Sequence, residues 1–180
     1  MLSGMPNYRR LWVPGGTYFF TVNLADHRGR VLTANIGALR IAFRETRASR
    51  PFNIIAAVVM PNHLHCIWAL PEGDADNAGR WSQLKSAFSR RVPYEDVVSP
   101  SRIERRERGI WQRRFWERCI IDEDDLRAHV DYIHYNPVKH GFVARAFDWP
   151  HSSFRRWIAE GVYPEDWATP PDPTPIPDAE

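Results

Sequence analysis

Phe52–Leu70, FNIIAAVVMPNHLHCIWAL, decides the fold. It holds two apolar runs, Phe52–Met60 and His63–Leu70, parted by Pro61-Asn62. Both runs have strand length, and Pro-Asn between apolar runs is turn chemistry, so the stretch predicts an antiparallel hairpin. Upstream, Thr17–Asn23 (TYFFTVN) follows Gly15-Gly16 and reads as a strand, being aromatic and β-branched. Ile36–Arg47 reads as a helix, with Ile36, Leu39 and Phe43 at helical spacing. Downstream, Arg80–Arg91 is helical, with Trp81, Leu84 and Phe88 on one face, and residues 92–110 form a mobile basic loop. Trp116–Ile121 is a strand, Asp122–Asn136 a helix and Ser152–Ile158 a short amphipathic piece. The order β-α-β-β-α-β-α predicts an α+β fold, an antiparallel sheet with helices packed on it. Residues 1–168 are read as one domain with a C-terminal extension from about 137. The Pro-rich acidic tail 169–180 (TPPDPTPIPDAE) is read as disordered.

The chain has 180 residues, 43% hydrophobic and 26% charged, a globular composition long enough to fold without disulfides or a structural metal. The longest strongly apolar run, Ile54–Met60, falls far short of the ~20 residues of a membrane span. The N-terminus lacks a charged-then-apolar leader pattern. Cys66 and Cys119 make neither a disulfide framework nor a four-ligand zinc site. A cytoplasmic protein with no membrane partner is expected. With no Gly-rich phosphate loop, no organic cofactor is expected either.

The net charge of +2 hides an asymmetry. From Glu160 onward there are six acidic and no basic side chains, leaving +8 on residues 1–159. Arg80–Arg118 contains eleven basic and five acidic residues interleaved with Trp81, Phe88, Tyr94, Trp111, Phe115 and Trp116. Cations neutralise phosphates and flat rings stack on unpaired bases, so the stretch points to nucleic acid. Each residue taken singly also reads as a solvated charge or a core ring.

Two constellations carry chemistry. In His63-Leu64-His65 the strand alternation sends both imidazoles to one face, about 6.5–7 Å apart along the backbone, and Leu64, Cys66, Trp68 and Leu70 to the other. Such a pair either binds one divalent cation or is simply hydrogen-bonded. In the last helix, Asp122 is the N-cap and Leu126, Val130 and Ile133 form the buried stripe. His129, Tyr132 and Asn136 share the neighbouring flank. Tyr135 lies about 100° round from Tyr132 and points elsewhere. Pro137 is expected to stop the helix, which makes Asn136 either a terminal cap or a functional amide. His129 is either a packed helix histidine or an aid to the tyrosine. Lys139 either caps the helix or holds phosphate.

VVMPNHLHCIWAL, the helix with QLKSAF, GIWQRRFWERCIIDEDDLRAHVDYIHYNPVKHGFV and DWPHSSFRRW together resemble the REP-associated tyrosine transposases, within the larger class of HUH single-tyrosine transposases. The resemblance runs from about Tyr8 to Trp167. It implies a ferredoxin-like sheet, His63 and His65 as the HUH pair, Tyr132 as nucleophile and Asn136 as third ligand to Mg²⁺ or Mn²⁺. It also implies cleavage and strand transfer of single-stranded DNA at palindromic hairpins through a 5′-phosphotyrosine link. Relatives tied to dispersed repeats act as monomers and insertion-sequence relatives as homodimers sharing active sites.

The residue types suit that chemistry. A phenol with a pKa near 10 costs about 4 kcal/mol to ionise at pH 7, which a nearby cation offsets. Lys85, Arg90, Arg91, Arg113, Arg114 and Lys139 are the candidate DNA contacts. The alternative is a hairpin-binding protein without cleavage. A zinc hydrolase is a weaker reading, because Glu72 lies beyond the strand and across Pro71.

Overall fold

The computed structural model describes residues 12–27, 29–93, 101, 104 and 108–167. Strands β1 (Thr17–Asn23), β2 (Asn53–Val59), β3 (His63–Ala69) and β4 (Trp116–Cys119) form one sheet in the order β2-β3-β1-β4. Every neighbouring pair is antiparallel. The helices are α1 (Val31–Ala34), α2 (Ile36–Ser49), α3 (Asn77–Ser89), α4 (Glu123–Lys139) and α5 (Phe154–Ala159). The α+β expectation holds. Most of the basic loop 92–110 and the whole tail 169–180 lie outside the described residues. No described helix is long and apolar enough to cross a membrane.

β1 and β3 take the two inner places because both of their faces are apolar enough to bury, and each strand is buried along five consecutive residues. Alternation then divides the core. Tyr18, Phe20 and Val22 of β1 join Leu64, Cys66 and Trp68 of β3 beneath α2 and α3, where Trp81, Leu84 and Phe88 pack. On the other face Phe19, Ile67, Ala56 and Val58 meet Val130, Tyr132 and Ile133 of α4. The register sets Thr21 opposite His65 and Asn23 opposite His63. The free edge of β2 is covered: Val59 N–H donates to the His151 carbonyl and Ser153 N–H to the Ala57 carbonyl, each at 2.8 Å.

Asp122 caps α4, accepting from Asp125 N–H at 2.8 Å, with Glu123, Asp124 and Asp125 in the first turn. The expectation that Pro137 ends this helix at Asn136 is corrected. α4 runs through Pro137 to Lys139. Proline removes one N–H and crowds the turn before it, which an established helix tolerates one turn from its end. The true end is marked by Gly141 at φ +69°, with Gly141 N–H bonded to the Val138 carbonyl and Phe142 N–H to the Pro137 carbonyl. Asn136 therefore sits inside the helix rather than capping it.

Candidate active site

β3 delivers both imidazoles to the α4 side of the sheet, and their ring centroids lie 5.0 Å apart. His65 is only 2% exposed. Burial pushes its pKa well below the ordinary imidazole value, and His63, His140 and Lys139 add to the shift. It is therefore neutral at pH 7, the form that donates a lone pair. His65 Nδ1 lies 2.9 Å from the Thr21 hydroxyl, and His63 Nδ1 lies 2.7 Å from Asn62 Oδ1. Where each Nδ1 carries the proton toward its oxygen partner, Nε2 keeps its lone pair.

α4 brings Tyr132 onto this pair. The Tyr132 and His65 ring centroids are 5.2 Å apart and nearly perpendicular at 73°. Phe19 forms the floor between them, 5.6 Å from His65 and 6.0 Å from Tyr132. One turn on, Asn136 is completely buried, and neither its Nδ2 nor its Oδ1 has a hydrogen-bond partner. A buried amide with both polar atoms unmatched costs roughly 1–3 kcal/mol unless something else satisfies it. Beyond Asn136, Lys139 Nζ sits 5.2 Å over the Tyr132 ring, and the His140 ring is 5.5 Å from that of His63. Tyr132, Asn136, Lys139 and His140 thus follow one flank of α4 along the histidine strand. Tyr135 is partly exposed and makes no ring contact with either histidine.

The side chains fit a divalent cation. Among the described residues no three His, Cys, Asp or Glu side chains gather into a metal cluster. A third protein ligand beside the histidines therefore has to be of another type, and the unpartnered Asn136 amide is that group. Two imidazoles and one neutral amide leave room for oxygen ligands, which suits Mg²⁺ or Mn²⁺ better than a closed zinc site.

The other sequence candidates fall elsewhere. His129 is buried, with Nδ1 2.7 Å from the Asp125 carbonyl and its ring 4.9 Å from Phe19, so it packs into the helix base. Lys85 lies on α3, across the sheet from Tyr132, and donates to the Gln112 carbonyl at 2.9 Å between the Trp111 and Phe115 rings. Arg90 bonds Ser86 Oγ at 2.7 Å, Arg91 pairs with Glu45, and exposed Arg113 reaches Ser101. Arg114 is exposed on the same segment. Of the six candidate DNA cations, only Lys139 stands at the tyrosine.

Reading the sequence missed three contributors. Thr21 and Phe19 reach the site through strand register, which spacing in the sequence does not reveal. His140 had a usable signal, since it lies eight residues from Tyr132 and so on its face of the helix.

No family model matches the chain. A REP-associated tyrosine transposase of Escherichia coli K12 is 47% identical over 164 residues, covering 91% of this chain and 92% of that one. A relative from Haemophilus influenzae Rd is 47% identical over 169 residues, 93% of this chain and 96% of its own. A solved REP-associated tyrosine transposase, bound to a REP hairpin, superposes with a TM-score of 0.83 at 45% identity and covers 98% of both chains. Likeness this close along nearly the full length, with the tyrosine laid on the histidine pair, makes the chain a member of the REP-associated tyrosine transposases.

Proposed function

We propose that this transposase cleaves and rejoins single-stranded DNA at palindromic REP-type hairpins, with Tyr132 as nucleophile. The observation that carries the reading is the meeting of the Tyr132 ring with His65 at 5.2 Å, one helical turn from the unpartnered Asn136 amide. The Tyr132 phenol loses its proton and its oxygen attacks phosphorus. A tyrosyl O–P bond forms, the P–O3′ bond breaks, and the departing 3′-oxygen takes up a proton. The 5′-phosphotyrosine keeps the energy of the phosphodiester, so attack by a 3′-hydroxyl rejoins a strand without ATP.

Lys139 favours the phenolate through its charge beside the ring and is placed to meet a phosphate. His63, His65 and Asn136 would hold Mg²⁺ or Mn²⁺, which supplies positive charge to the scissile phosphate. Thr21 and Asn62 fix the orientation of the two imidazoles, and Phe19 keeps water from the tyrosine's inner edge. The DNA reached by such an enzyme is chromosomal, in the cytoplasm.

The test is incubation of the full chain with a single-stranded DNA hairpin and Mn²⁺, followed by a denaturing gel. The wild type yields a covalent adduct, Tyr132→Phe yields none, and Tyr135→Phe keeps it. An adduct formed by Tyr132→Phe would overturn the assignment of the nucleophile. Tight hairpin binding with no adduct in the wild type would leave the non-cleaving reading in its place.

A further inference from the structure

A groove of about 420 Å³ runs between α2 and the covered edge of β2. That is within the ~300–1,000 Å³ of pockets that hold small organic groups. It lies on the sheet face away from Tyr132. Its floor is apolar, with Ile36 and Phe43 from α2 and Ala57 from β2. Its rim is cationic. Arg40 and Arg44, one helical turn apart, are exposed and make no hydrogen bond or ion pair among the described residues. The far wall presents His151, whose Nδ1 is buried without a partner.

Every other arginine of α2 is committed. Arg47 donates from Nε to the Phe52 carbonyl at 3.1 Å. Glu45, the acid of α2, is turned to Arg91 of α3. The groove therefore combines an apolar slot, two unspent guanidinium groups and one unspent ring nitrogen. Duplex DNA satisfies only the guanidinium groups, because its bases are stacked and paired. An unpaired nucleotide satisfies all three, with its base face on the apolar floor, its polar edge toward His151 and its phosphates on the arginines.

We propose that this groove seats an unpaired nucleotide of the DNA that flanks the hairpin, as a second contact on the opposite side of the sheet from the tyrosine. The proposal rests on the hairpin-DNA reading given above. It also explains why the α2 arginines remain unpaired while the cations of α3 find partners.

The experiment is fluorescence anisotropy with the full chain and three probes: a blunt DNA hairpin, the same hairpin with a four-nucleotide single-stranded flank, and that flank made abasic. The flanked hairpin binds the wild type about tenfold tighter than the blunt one, and the abasic flank falls between them. In Arg40→Gln/Arg44→Gln the flanked hairpin drops to the blunt value while the blunt hairpin is unchanged. The salt slope for the flanked probe flattens by about 1.4, at ~0.7 per single-stranded phosphate. Ala57→Leu, which fills the slot without altering charge, removes only the difference between normal and abasic flanks. A circular-dichroism melt checks its fold, and the arginine variant tests the proposal independently.

Equal weakening of blunt and flanked hairpins would show diffuse attraction and overturn the proposal. So would a double variant indistinguishable from wild type, or an abasic flank that binds as tightly as a normal one. Those failures leave the hairpin reading standing. A wild-type chain that binds none of the three probes would instead sink that reading, and this proposal with it.

Discussion

The two faces of the sheet differ in what they bury. Under α2 and α3 the contacts are aromatic: Trp68 stacks on Trp81 at 4.3 Å and meets Phe52 at 4.1 Å and Phe20 at 4.8 Å. Under α4 the buried set includes His65, His129, His134 and Asn136 beside Tyr132. One strand serves both, because β3 alternates His63 and His65 with Leu64, Cys66 and Trp68. Burying neutral rings releases water from apolar surface. Burying imidazoles and an amide costs free energy unless each finds a partner. One face supplies stability, and the other spends part of it on groups whose full use comes with a ligand.

The sharpest break in that contrast is Trp68→Ala. Removing a fully buried indole from the stacked face should cost about 3–5 kcal/mol in urea unfolding. Tyr132→Phe on the opposite face keeps the ring and should cost about 1 kcal/mol or less in the same measurement. Equal losses would mean that both faces carry the fold alike.

A smaller effect separates the faces by pH. His134 is fully buried beneath Phe154, Trp157 and Tyr163, with Nε2 2.9 Å from Ser153 Oγ. Burial, with Arg156 adding, pushes its pKa down from 6.5 to about 3. The folded value lies below the unfolded one. Under pH 6.5 the unfolded chain therefore binds a proton that the folded chain refuses, and stability falls steadily until about pH 3. From pH 7.5 to pH 5 this single group should remove about 2 kcal/mol. His65 and His129, whose pKa values burial also lowers, steepen the same loss. His134→Gln should lose stability less steeply than wild type over that interval. Equal slopes in the two proteins would clear His134 of the effect.

Much of this was legible in the sequence. The runs flanking Pro61-Asn62, the TYFFTVN strand and the amphipathic helices had strong periodicity, and each appeared within a few residues of its expected bounds. Strand alternation told which residues of β3 would be wet chemistry and which core. Helical spacing put Tyr132 and Asn136 on one flank.

What stayed hidden depends on who pairs with whom. Arg80 counted toward the basic stretch, yet it is buried, and its two terminal nitrogens contact Asp74 at 2.9 and 2.6 Å. Arg118 likewise meets Asp125 at 3.2 Å. Counting charges along a chain does not separate cations consumed by the fold from those left for a partner. That is how Arg40 and Arg44, in a stretch of ordinary charge density, escaped notice while Lys85 and Arg91 drew it. Pro137 was misjudged for a related reason: a proline's effect depends on the turns around it, and one Schellman end sufficed to carry α4 past it.

The smallest expected change in stability is the most telling about the α4 face. Deleting a fully buried side chain normally leaves a cavity and a clear loss. Asn136→Ala also deletes two polar atoms that have no partner, and the relief of that cost opposes the cavity. The two contributions are of similar size, so urea unfolding without divalent metal should move by no more than about 1 kcal/mol. Adding Mn²⁺ should raise the melting temperature of the wild type and leave that of Asn136→Ala unmoved, since binding to the folded state alone stabilises it. A variant that loses several kcal/mol without metal would make Asn136 an ordinary packing residue. A variant that responds to Mn²⁺ as the wild type does would remove the amide from the ligand set and leave its unmatched polar atoms to be satisfied by something other than the cation.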